Sequence, residues 1–95
     1  MPEKIYTWTT GRRKTSVARV RVADVVPSSG QITVNRRSIG KFFLTEEHRN
    51  AAIAPLVATK THGRYDIFIT CGGGGVSGQA GAVKLGIARA LLKLN

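Results

Sequence analysis

The stretch SVARVRVADVV, residues 16–26, decides how this chain folds. Ala18, Val20 and Val22 point one way and Arg19 and Arg21 the other, the period-two alternation of a half-buried strand. Upstream, Ile5, Tyr6, Thr7, Trp8 and Thr9 are rich in strand formers and predict a first strand that Gly11 breaks. Downstream, Pro27, Ser28, Ser29 and Gly30 predict a turn, with a short return strand over Gln31 to Val34. Asn35, Arg36 and Arg37 read as a polar turn, and Ser38 to Phe43 as a helix with Ile39, Phe42 and Phe43 as its apolar stripe. Thr45 reads as the N-cap of a second helix opened by Glu46 and Glu47, which Pro55 should stop.

Tyr65 to Cys71 is the last expected strand, entered through a turn at Gly63 and followed by four glycines, Gly72 to Gly75. Ser77 then caps a helix reaching the end of the sequence. Val76, Ala80, Val83, Ile87, Leu91 and Leu94 recur along it at three- and four-residue steps, with Lys84 and Arg89 off that face. No repeat or linker interrupts the chain, so residues 1–95 form one expected domain. Strands with hairpin-length links followed by helices imply α+β, a sheet with helices on one face.

Fifteen Lys and Arg against five Asp and Glu give a net charge of +10 on 95 residues. Such a surface attracts polyanions, because each neutralised phosphate releases condensed counterions. A hydrophobic fraction of 42% lies well above the disorder signature and supports one small core. No basic amphipathic helix or lipidation motif favours a membrane surface. Cys71 is the single cysteine, which fits a reducing compartment, and residues 1–10 lack the pattern of a signal or transit peptide. The expected location is the cytoplasm.

The charge is uneven. Residues 1–41 hold nine Lys and Arg against Glu3 and Asp24, leaving +7 there and +3 in the remainder. Gly11-Arg12-Arg13-Lys14-Thr15-Ser16 runs straight into a strand with outward Arg19 and Arg21, so the cations form a stripe. Guanidinium forks suit phosphate oxygens, and Thr15 and Ser16 can add hydroxyl contacts. A charged strand edge that discourages sheet-to-sheet pairing is the bland alternative.

Gly73-Gly74-Gly75-Val76-Ser77-Gly78 satisfies a dinucleotide-binding spacing, but no second parallel strand and no acidic residue follow it. Gln79 and Ala80 stand where a phosphate-binding loop needs Lys and Ser or Thr. The glycines can still expose helix-terminal N–H groups to an RNA phosphate, or they can serve only a tight turn and close helix packing, the latter through Gly81 and Gly86. His48 and His62 lack partners at metal-ligand spacing, and Asp66 lacks a second acid, so it is expected to pair with a cation or cap a turn. Cys71 is expected as a small buried hydrophobe. Trp8, Tyr6, Phe42, Phe43, Tyr65 and Phe68 are expected in the core rather than as base-stacking platforms. No nucleophile with its base assembles, so neither catalysis nor a cofactor is expected. A small phosphotransferase built on the glycine loop and a DNA-compacting protein are the rival classes.

Four ordered blocks resemble the small-subunit ribosomal protein nine family, in its bacterial or organellar form. They are Thr10-Gly11-Arg12-Arg13-Lys14 with Ala18-Arg19-Val20; Ile32-Thr33-Val34-Asn35 with Arg37; Gly63-Arg64-Tyr65-Asp66-Ile67 leading into Gly73 through Val83; and Gly86-Ile87-Ala88-Arg89-Ala90-Leu91. The resemblance implies a four-stranded sheet with helices on one face and a left-handed βαβ crossover, a fold similar to domain two of ribosomal protein S five. It implies a structural constituent of the small-subunit head that supports translation, with ribosomal RNA and neighbouring head proteins as partners. The expected RNA contacts are Arg12, Arg13, Lys14, Thr15, Ser16, Arg19, Arg21, Arg36 and Arg37, joined by Gly73, Gly74, Gly75, Ser77, Gln79 and Lys84. Gly72 stands where family members typically carry Lys. The family also continues past its final helix with a basic tail that touches transfer RNA. This sequence stops at Asn95, so a core truncated at its C-terminus is expected, without that contact.

Overall fold

The computed structural model describes residues 6–23 and 30–94. Ile5, the end of the second expected strand at Val26 and the turn residues Pro27, Ser28 and Ser29 lie outside them. The elements are β1 (Tyr6–Arg13), β2 (Ser16–Ala23), β3 (Ile32–Val34), β4 (Arg37–Ser38), α1 (Ile39–Phe42), α2 (Glu46–Ala58), β5 (Asp66–Gly72) and α3 (Val76–Leu94). The class is α+β, as the pattern of strands and helices implies.

The sheet has five strands among the described residues, in the order β1-β2-β5-β3-β4, rather than four. The additional strand is the two-residue β4, which folds back on β3 through Asn35 and Arg36. Both turn residues have positive φ, 50° and 66°, the backbone that lets a two-residue loop match the twist of its strands. The expected polar turn is therefore tighter by one residue, because Arg37 pairs with Val34.

β3 does not return onto β2. It lies parallel to β5, which is inserted between the two, so the segment containing β4, α1 and α2 is a crossover. Two contacts fix that placement. Asp66 Oδ1 accepts from the Gln31 N–H at 3.2 Å at one end of the pair. At the other, Asn35 Nδ2 donates to Cys71 O at 2.9 Å while Asn35 Oδ1 accepts the Cys71 N–H at 2.8 Å. Asn35 keeps its own N–H on Ile69 O at 2.8 Å and extends the ladder one step further with its side chain. Asp66, expected to pair or cap, is buried and holds the start of β3.

The inward parity predicted for β2 holds: Ala18, Val20 and Val22 are buried, opposite Ile67, Ile69 and Cys71 of β5. α3 lies across β1, β2 and β5 with α2 beside it. Its buried face includes Ala82, Gly86 and Ala90 besides the expected Ala80, Val83, Ile87 and Leu91, since it is wedged between sheet and helix. Val76 is exposed and Leu94 half-buried. Gly11 does not break β1, which runs through it to Arg13. A Cβ there would strike the backbone of Ala82 and Gly86, so the glycine is the point of closest strand-to-helix approach.

Pro55 does not stop α2, which continues to Ala58. Pro55 removes one N–H, but Ala51, whose carbonyl loses it, is exposed and open to water. Thr59 Oγ1 then caps the end by donating to Pro55 O at 2.8 Å. The expected start is present: Thr45 Oγ1 accepts from the His48 N–H at 3.3 Å, with Glu46 and Glu47 in the first turn. α1 is shorter than expected, and Phe43 beyond its end is fully buried, with Ile39 and Phe42 packed against the core. Ser77 is not the cap of α3, because the helix begins one residue earlier and Gly75 O accepts its first N–H, from Gln79.

Candidate nucleic-acid interface

Two basic surfaces emerge from this arrangement. The first is the end of the β1–β2 hairpin. Arg13 pairs with Ser16, leaving Lys14 and Thr15 as the turn, and Lys14 takes a left-handed φ of 54°. Arg12, Arg13, Lys14 and Thr15 are all exposed. Because Val17 lies opposite Gly72, the hairpin tip abuts the glycine loop that leads into α3. Gly73 and Gly74 have φ of 76° and 61°, and a Cβ on either would run into Thr15 or Ser16. Side chains at these positions would push the loop off the hairpin.

Ser16 is 1% exposed and its hydroxyl donates to Gly73 O at 3.0 Å. It therefore locks hairpin to loop rather than presenting a hydroxyl to solvent. Gln79 Nε2 donates to the same carbonyl at 3.1 Å. The backbone of Gly73, Gly74 and Gly75 and the side chain of Ser77 remain on the surface. A cationic turn is thus held rigidly beside the N-terminus of a 19-residue helix, where backbone N–H groups and the helix dipole favour anions.

The second surface is the face of the sheet that, among the described residues, no helix covers. Trp8, Arg21, Phe68 and Thr33 form one cross-strand row, and Thr10, Arg19 and Thr70 the next. Arg21 is half-buried among rings: its guanidinium carbon lies 4.8 Å from the Tyr6 centroid, 4.9 Å from Phe68 and 5.8 Å from Trp8. Cations over ring faces gain from the ring quadrupole, and the long stem of Arg21 fills space between them. Tyr6 meets both Trp8 and Phe68 edge to face at 6.3 Å. Arg36, in the β3–β4 turn, closes the far side, and Arg37 is exposed on β4. Lys84 is exposed on α3 and belongs to neither row.

Three of the aromatic residues expected in the core are on this open face. Trp8 is 58% exposed, and Tyr6 and Phe68 are half-buried. Phe43 and Tyr65 do lie in the core. The parity that points Ile67, Ile69 and Cys71 inward sends Phe68 outward, and with Thr9 and Gly11 inward Trp8 must face out. That signal is present in the sequence, and in the structure parity prevails over ring size.

Two further expectations concern reactive groups. Cys71 is buried, and burial pushes its thiol above the ordinary 9.0, which keeps it a neutral hydrophobe. His48 is engaged locally, with Nδ1 2.6 Å from Thr45 Oγ1.

Fold and surface together define a class: a small α+β protein with a glycine-locked cationic hairpin at one end of its sheet and an arginine-rich open face. The profile of the family described as ribosomal protein S9/S16 matches residues 11–95, and the chain belongs to that family. It is similar to the small ribosomal subunit protein uS9 of Borreliella burgdorferi (strain ZS7), with 50% identity over 86 residues, 90% of this chain. The proteins of the same name from Borreliella afzelii (strain PKo) and Borrelia garinii subsp. bavariensis are 49% identical over the same 90%. The chain spans 61% of the length of these relatives.

Proposed function

We propose that this chain is the RNA-binding core of a structural constituent of the small ribosomal subunit, that it acts in translation and that it works as no enzyme. The carrying observation is the hairpin tip of Arg12, Arg13 and Lys14 locked against the glycine loop, in a chain of the ribosomal protein S9/S16 family. Arg12, Arg13, Lys14, Thr15, Arg19, Arg36 and Arg37 take phosphate oxygens, and the loop at Gly73, Gly74, Gly75 and Ser77 adds backbone contacts. Gln79 and Ser16 support that loop. Lys84 contributes a separate contact from α3. Such contacts position the protein on folded RNA and read shape more than sequence.

The partners are ribosomal RNA of the subunit head and neighbouring head proteins, and the site of action is the ribosome in the cytoplasm. No transfer-RNA contact is assigned to residues 1–95. The β3–β5 crossover is taken as left-handed, with the fold of domain two of ribosomal protein S five, on the strength of the family resemblance.

The test is binding to a head-domain fragment of small-subunit ribosomal RNA across a salt series, beside duplex DNA of equal charge. Tight, salt-sensitive binding that favours the RNA is expected. Equal affinity for both polymers would instead favour a general DNA-compacting protein.

A further inference from the structure

The open sheet face carries more than charge. A groove of about 620 Å³ runs over it, lined by Trp8, Arg19, Arg21, Arg36, Phe68 and Thr70 among others. Its described lining holds three arginines and no carboxylate. Below it, the Thr33 hydroxyl is buried without a hydrogen-bond partner among the described residues, a polar atom still unspent. An exposed indole beside a half-buried phenyl ring, with cations spaced along the strands, is a combination that suits planar anionic polymers. Phosphate contact alone has no use for Trp8, whose exposed apolar surface costs free energy in water.

We propose that this groove takes unpaired RNA nucleotides, with a base stacked on Trp8 and its flanking phosphates held by Arg19 and Arg36. This assignment rests on the RNA-binding function proposed above and adds the kind of RNA: single-stranded, splayed bases rather than duplex. Arg21 acts as a positioning residue. Its guanidinium, set among Tyr6, Trp8 and Phe68, holds the rings in their orientations before any base arrives. The backbone that carries the indole is held from the α3 side, because Lys93 Nζ donates to the Trp8 main-chain O at 3.0 Å and Arg89 donates to the Thr10 main-chain O at 3.0 Å. These two α3 cations occupy the outer edge of β1, blunt it against strand pairing, and keep the ring row in place. Charge complementarity selects the polymer, and stacking selects its unpaired form, since every base offers a ring face once it leaves the duplex.

Trp8 is the single tryptophan of the chain, so its fluorescence reports this face and no other. The 95-residue protein is titrated with an adenine-rich, unstructured RNA of about ten nucleotides, an RNA duplex of equal phosphate count, and a polyglutamate peptide. Anisotropy of labelled ligands follows binding in parallel. The single strand is expected to quench Trp8 to saturation, while the duplex binds with its emission unchanged. Trp8→Ala should weaken the single strand roughly tenfold and the duplex less than twofold, and Trp8→Phe should restore most of the loss. Arg21→Ala should weaken the single strand more than the loss of one charge does at the exposed Arg37.

Binding of the single strand that leaves Trp8 emission unchanged, or equal losses for both RNAs in Trp8→Ala, would overturn the groove assignment while the broader RNA-binding function stands. Quenching by polyglutamate equal to that by RNA would reassign the face to an acidic protein. Failure of both RNAs to bind would remove both proposals together.

Discussion

The two faces of one sheet are built from the same strands and do opposite work. On the covered face, Gly11 and Gly86 let α3 touch the backbone of β1, and Val20, Ile67, Val83 and Ile87 fill the space beside them. Any added atom there meets another atom. On the open face, Trp8, Arg19, Arg21 and Phe68 stand on the alternate positions of those strands with solvent above them. The difference teaches that period-two alternation separates the residues that make the fold from those that make the interface, one residue apart along the chain.

If that separation is real, the covered face should break stability and leave RNA contacts to follow passively. The largest effect is expected at Gly11→Ala, whose Cβ runs into the backbone of Ala82 and Gly86. About 3 kcal/mol of stability should be lost, read as a shift in the urea midpoint. Asn35→Ala, at the exposed rim of the groove and so a limit on that separation, removes two hydrogen bonds to Cys71 at the β3–β5 junction and should cost about 2 kcal/mol in the same assay. Thr45→Ala, which deletes the α2 cap, should cost about 1 kcal/mol.

The exposed hairpin sharpens the contrast from the other side. Arg12→Ala with Arg13→Ala should change stability by less than about 0.5 kcal/mol. The salt slope of RNA binding should fall by about one to two, uniformly across RNA sequences. A slope left unchanged would remove the hairpin from the interface.

A smaller effect concerns pH. Burial raises the Cys71 thiol, so the unfolded chain ionises first as pH rises. The stability this neutral thiol contributes is full below the unfolded value near 9.0 and lost progressively above it. Urea midpoints at rising pH check this, and Cys71→Ala should flatten that portion of the profile.

Much of the covered face was legible from sequence. The parity of Ala18, Val20 and Val22, the cap at Thr45 and the apolar steps of α3 from Ala80 to Leu91 all follow from local rules, and the structure repeats them. What local rules missed depends on neighbours distant in sequence. Gly11 reads equally as a strand breaker or a close-approach point until α3 is placed over it. The pairing of β3 with β5 is set by Asp66, Asn35 and Cys71, which no window around Ile32 contains. Pro55 obeyed its rule only in removing an N–H, because the carbonyl it frees belongs to an exposed residue. The aromatic row on the open face runs against the tendency of large rings to be buried. Parity, which the strands already carried, would have placed Trp8 and Phe68 correctly.

The division of the sheet into a folding face and a binding face is tested most directly by mapping backbone amide shifts during titration with the head-domain RNA fragment. Shifts should gather at residues 12–15 and 73–77 and along the rows of Trp8, Arg21 and Phe68 and of Arg19 and Thr70. Shifts confined to the outer surface of α2, with the hairpin and open face unmoved, would contradict the account.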